Sequence, residues 1–174
     1  MPIFSAPAVV EAAGGIANFT ASNLVVTGPV GFYVFTYTIE NTLGTKISTT
    51  ETIELFAGDP VDVRFVSTAP SQVAAGKTFT PVPVAELIDS NGNRVRMDST
   101  SKVVLELLNA NTAVVQTTPA AVSANGVVSF PGVSFSATVG QHTMRVRIVE
   151  IDGSANASAV GQTDTSATFD IVHG

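Results

Sequence analysis

The sequence predicts an all-β chain built as an antiparallel β-sandwich, with one complete domain preceded by the second half of another. Three observations lead there. Apolar and polar residues alternate with period two from end to end, which is the pattern of half-buried strands, and no window carries a helical face. Turn signals punctuate the strands: Ala75-Gly76, Ser90-Asn91-Gly92-Asn93, Asn125-Gly126, Val139-Gly140 and Asp152-Gly153. Residues 12–58 recur in altered form at 123–174. Gly15, Ile16 and Phe19 match Gly126, Val127 and Phe130; Gly31, Phe35, Tyr37 and Ile39 match Gly140, Met144, Val146 and Ile148; Ile53, Leu55 and Gly58 match Phe169, Ile171 and Gly174. The offsets are 111 (Gly15 to Gly126), 109 (Gly31 to Gly140) and 116 (Gly58 to Gly174). A spacing of that size is the length of a domain, longer than a solenoid repeat.

Taken in order, Phe35, Tyr37 and Ile39 alternate with Thr36, Thr38 and Glu40, and Ile53 and Leu55 end the partial domain. Residues 1–57 form this half, 58–60 a short linker and 61–174 the complete domain; the linker contains Pro60, so it is stiff. Val61, Val63 and Phe65 point one way, Asp62 and Arg64 the other. Over Phe79–Ile88, Pro81 and Pro83 cannot donate to a ladder, so the start lies on an edge or crosses between sheets. Glu86 faces water and turns Ala85 and Leu87 inward. Val103, Leu105 and Leu107 alternate with Val104, Glu106 and Leu108. Pro119–Ala124 reads as a loop, with Asn125-Gly126 as the turn into the next strand. Met144, Val146 and Ile148 alternate with Arg145, Arg147 and Val149, and Phe169 and Ile171 flank Asp170. The complete domain then holds about seven strands, a sandwich number.

Composition narrows the function. Of 174 residues, 45% are hydrophobic and only 13% charged, about half the usual charged share. Ser, Thr, Asn, Gln and Ala must cover the surface, as in many extracellular proteins. The net charge is −6, and the eight Lys+Arg form no group beyond Arg94–Arg96 and Arg145–Arg147. That argues against nucleic acid as a partner, and each arginine pair reads as the solvent face of a strand. Cysteine is absent, which excludes disulfides, thiolate zinc sites and thiol catalysis. No run approaches the ~20 apolar residues of a membrane span. The N-terminus lacks a basic region ahead of an apolar one and is not a signal peptide, so an export signal would lie upstream of Met1.

No reaction is written into the chain. His142 and His173 are the two histidines; His142 reads as a strand-start residue bonding backbone, and a zinc site lacks ligands. Asp89-Ser90-Asn91-Gly92-Asn93 spaces oxygens as a calcium loop does, but Met97-Asp98 follows where a bidentate Glu is needed, and a tight turn accounts for it. Asp59, Asp62 and Asp152 offer a second calcium position, against the simpler reading of solvated acids. No G-x-S-x-G elbow occurs. Glu86, Glu106 and Glu150 lie on or beside strands, with no insertion to build a cleft. The expectation is no enzyme, with no catalytic, cofactor-binding or metal residue. Asn18-Phe19-Thr20 and Asn156-Ala157-Ser158 match the N-glycosylation pattern, the first on a strand and the second in the loop Asp152–Asp164. Tryptophan is absent and tyrosine limited to Tyr33 and Tyr37, which weakens a sugar-stacking role.

Four segments occur in a telling order: Gly76-Lys77-Thr78-Phe79, then Leu87-Ile88-Asp89-Ser90-Asn91-Gly92-Asn93-Arg94-Val95, then Asn125-Gly126-Val127-Val128-Ser129-Phe130, then Gly140-Gln141-His142-Thr143-Met144-Arg145-Val146. This order resembles the immunoglobulin-like repeats of bacterial invasin/intimin-type surface proteins and is similar to filamin-type repeats. Gly31-Phe32-Tyr33 looks like a tyrosine corner, for which the second copy has His142. The resemblance implies an immunoglobulin-like sandwich. It also implies a non-enzymatic module of a tandem array in a large extracellular or cell-surface protein: a stalk, an adhesin shaft or an extracellular filament subunit. A protein- or glycan-binding adhesion module and a cytosolic filamin-type scaffold stand as alternatives.

The partial domain alone exposes Phe19, Leu24, Val26, Phe35, Tyr37, Ile39, Ile53 and Leu55, a face rarely left open. Either further residues upstream complete it, or another chain supplies the missing strands and makes this a filament subunit, with Phe19, Phe35, Tyr37 and Ile39 as the strand-complementation face. Its partners are neighbouring immunoglobulin-like domains of the same or another chain, a homo-polymer included.

Overall fold

A computed structural model describes residues 3–4, 9–19 and 26–174, with backbone alone for 3–4. Among the described residues the chain is all-β, without a helix. It divides into two compact units, Met1–Phe56 and Ala57–Gly174.

In the first unit β1 (Ile3–Phe4) pairs antiparallel with β2 (Val26–Thr27). β3 (Gly31–Glu40) and β4 (Lys46–Leu55) form a hairpin of two strands of 10 residues each. Its turn is closed by Asn41, whose Oδ1 accepts the N–H groups of Leu43 (3.0 Å) and Thr45 (2.9 Å), the local side-chain bonding that suits Asn to turns.

The second unit contains β5 (Asp62–Phe65), β6 (Gln72–Ala74), β7 (Val84–Ile88), β8 (Lys102–Asn109), β9 (Val114–Thr117), β10 (Ala121–Val122), β11 (Val127–Ser129), β12 (Gly140–Glu150), β13 (Thr163–Thr165) and β14 (Phe169–Val172). One sheet has the order β11-β7-β5; the other runs β10-β8-β12-β14-β6, with β9 also on β8 and β13 also on β12. β6 runs parallel to β14, and the other pairs are antiparallel. One core joins the sheets: Val63, Ala85, Leu87 and Val128 from the first meet Leu105, Leu107, Met144, Val146, Ile148 and Ile171 from the second. The arrangement is consistent with a β-sandwich. Phe79 anchors one end, edge-on to Phe135 (5.6 Å) and Phe169 (5.3 Å), the orientation ring quadrupoles favour.

Glu86 points away from the core between Arg64 and Arg94, with Ala85 and Leu87 inward as expected. Four expectations need correction. The second unit has ten strands, because short segments beside the long strands also pair. Pro119–Ala124 is not all loop: β10 lies in it and pairs with the start of β8. β7 begins at Val84, after both prolines, which have no N–H to donate to a ladder. The outward face of β8 is not solvated: Val104, Glu106 and Leu108 are all buried, so Arg145 and Arg147 do not simply face water.

The internal repeat is visible in the backbone. Ala13 and Ile16 exchange hydrogen bonds of 3.0 and 3.1 Å, and Ala124 and Val127 exchange bonds of 2.8 and 3.1 Å. Both turns have two successive positive φ angles, 60° and 82° at Gly14-Gly15 and 52° and 71° at Asn125-Gly126. That is the hairpin turn whose twist matches flanking strands. Gly31 faces Leu55 and Tyr33 faces Ile53 across β3–β4, just as Gly140 faces Ile171 and His142 faces Phe169 across β12–β14.

Candidate functional site

Three buried acids of the second unit, Glu106, Asp89 and Asp98, are held by partners within the fold. Glu106 is almost fully buried, and both neighbouring arginines close on it. Arg145 gives Nε (2.7 Å) and Nη2 (2.6 Å) to Oε2; Arg147 gives Nε (2.9 Å) and Nη2 (2.8 Å) to Oε1. Burial pushes its pKa up, but hydrogen bonds from Arg147 and Arg145, and then their charges, outweigh burial and hold it below the usual carboxylate range. Asp89 is buried too. Its Oδ1 accepts the N–H of Asn91 (2.8 Å) and Asn93 (2.9 Å), and its Oδ2 accepts Gly58 N–H (3.1 Å) and Asn93 Nδ2 (3.0 Å). Burial raises its pKa, and these donors, Asn93 first, bring it below the ordinary value. Oxygens already ringed by N–H groups act as a turn clasp; a calcium ligand would need them facing a cation. Asp98, also buried, binds Ser101 through its N–H (3.2 Å) and Oγ (2.5 Å), and the hydroxyl of Ser123.

His142 is buried with Nδ1 2.9 Å from the carbonyl of Gly140, while its counterpart Tyr33 donates its hydroxyl to the carbonyl of Pro29 at 2.6 Å. Both ring residues tie a strand start to nearby backbone. Asp62 accepts its neighbour's N–H (Val63, 2.8 Å) and Asp152 the hydroxyl of Thr100 (2.7 Å). Among the described residues no three acidic, His or Cys side chains converge as a metal site.

A groove of ≈ 450 Å³ runs between β9–β10 and residues 129–135, lined by Gln116, Thr118, Pro119, Phe130 and Phe135 among others. No titratable side chain lines it, so it offers no group for general acid–base chemistry.

The two sequons fall differently. Asn156 and Ser158 are exposed on the loop between β12 and β13. Asn18 is exposed and stands in no described strand, contrary to expectation. Thr20 and Leu24 lie outside the described residues.

The hairpin brings the remaining residues together. Phe35, Tyr37 and Ile39 share one face of β3, opposite Glu51, Thr49 and Ile47 of β4. Phe19 sets its ring 6.2 Å from that of Tyr37. Ile39 (63%) and Ile47 (71%) are exposed. Among the described residues β3 pairs with β4 alone, whereas its counterpart β12 lies between β14 and β8. Sequence reasoning missed the Glu106–arginine and Asp98–serine clusters. The available signal for the first was a lone acid inside the apolar run Val103–Leu108, with arginines two apart on a later strand.

No protein-family model matches the chain, and no curated protein matches it.

Proposed function

We propose that the chain is a non-enzymatic structural module of a tandem immunoglobulin-like array in a large extracellular or cell-surface protein. The observation that carries the reading is the repeated register: the same turn and the same strand pairing occur in both units, about one domain length apart. Two further features support it. The second unit pairs a three-stranded sheet, β11-β7-β5, with a seven-stranded one, and two mostly antiparallel sheets over one core are what an immunoglobulin-like reading requires. The buried acids serve turns and strand pairs. Low charge and the lack of cysteine fit a bacterial or protist surface fibre. The work of such a module is mechanical: short linkers fix the direction of rigid units, and the array holds its ends apart.

Separate production of the two units tests the modular claim. Residues 57–174 are expected to be a monomer with one cooperative melting transition, and residues 1–56 to aggregate or stay unfolded. A cooperatively folded, monomeric 1–56 contradicts it.

A further inference from the structure

We propose that the edge of β3 with no strand partner among the described residues accepts one extended strand of the β8 type, antiparallel to β3, supplied by the front half of a preceding domain. This rests on the array reading and adds to it the contact, the register and the chemistry of the incoming strand.

The edge can be specified atom by atom. Asn41 N–H closes on the carbonyl of Thr45 (3.1 Å), so by alternation the odd-numbered N–H groups of β3 face β4. The N–H groups of Val34, Thr36 and Thr38 therefore face the edge away from β4. In the second unit the equivalent groups belong to Thr143, Arg145 and Arg147. Met144 and Ile148 direct their N–H groups to Ser166 Oγ (3.0 Å) and Gln162 O (3.0 Å) on the β13 side, leaving the alternate ones for β8. The β12–β8 register then transfers. Met144 faces Leu107, Val146 faces Leu105 and Ile148 faces Val103, so Phe35, Tyr37 and Ile39 call for an apolar residue at each of those places. The extended strand continues the apolar face over the exposed Ile39.

One position must differ from β8. Glu106 is stable there because Arg145 and Arg147 close on it. β3 has Thr36 and Thr38 in their places, both exposed, so a carboxylate there would lack the two arginine partners, while a β-branched residue makes the better cross-strand pair with Thr. The incoming strand therefore carries a neutral residue opposite Thr36. A second copy of the chain does not fit, since it has two back halves and a single β8, already paired with β12 along its length.

The test is amide hydrogen exchange of the full chain, resolved by residue, with a synthetic peptide of residues 101–109 and its Glu106→Thr version. The Glu106→Thr peptide is expected to slow exchange at Val34, Thr36 and Thr38 by about tenfold or more at saturation, and the unaltered peptide to do so only at higher concentration. The chain variant Thr36→Pro removes an edge donor without touching the β4 ladder, and is expected to abolish the effect while the second unit melts unchanged. No slowing with either peptide, or equal affinity for both, overturns the proposal. Slowing that grows with protein concentration alone makes a second copy the occupant and also overturns it. The array reading fails separately, on the mass of the native protein, which peptide binding does not touch.

Discussion

Glu106 shows how a single residue decides what a strand face becomes. With two arginines on it, the acid is buried at a position where alternation predicts water. Removing one partner of a buried ion pair strands the other charge, so Glu106→Ala is expected to cost about 3–5 kcal/mol, measured by urea unfolding; a near-neutral result removes the cluster from the stability account. Glu106 and Asp89 both have folded pKa values below ordinary ones. Their contribution is fully present above the unfolded carboxylate values near ~4 and is lost as pH falls through the lower folded values. Stability should therefore fall below about pH 4, and the Glu106→Gln variant should show a shallower fall. Gly126 carries a second residue-level test. A Cβ there would lie 2.3 Å from Val95 O, at φ +71°, whereas the equivalent Gly15, at φ +82°, has nothing within 4 Å. Gly15→Ala should cost the ~1–2 kcal/mol of left-handed backbone alone, and Gly126→Ala clearly more. Equal costs would mean that the two turns do not differ in what packs against them.

At the scale of elements, β12 was legible because one of its faces is buried and the other partly exposed. The alternation of Met144, Val146 and Ile148 with Arg145 and Arg147 appears directly as β12, and the turn at Asn125-Gly126 needed only its residue types. β10 was not legible: two residues pair because β8 presents an edge beside them, and that edge is not local information. The same holds for β8, whose outward face is buried by residues some forty positions away. Phe130 and Phe35 separate the two units in energy. Phe130 is 4% exposed, so Phe130→Ala should cost about 3–5 kcal/mol. Phe35 is half-buried, and Phe35→Ala should cost about 1–2 kcal/mol, both read from thermal melts. A larger loss at Phe35 would mean that its face is covered as fully as a core.

For the whole molecule, the repeat was the most legible feature and the ligand the least. A duplicated backbone register leaves a trace in sequence at each glycine and apolar anchor, whereas a binding function on a sandwich is carried by loop residues that no spacing rule marks. The exposed sequon at Asn156 gives one molecular-scale check: protein from a glycosylating source should lose mass on enzymatic deglycosylation, and Asn156→Gln should reduce that loss. The central claim is that the first unit is a back half whose front half comes from a preceding domain, and the intact mass of the native protein tests it most directly. The account expects a mass well above 17.9 kDa, with further domains of the same length in the same polypeptide. A native mass of 17.9 kDa would contradict it, because no preceding domain would then exist to complete β3 and β4.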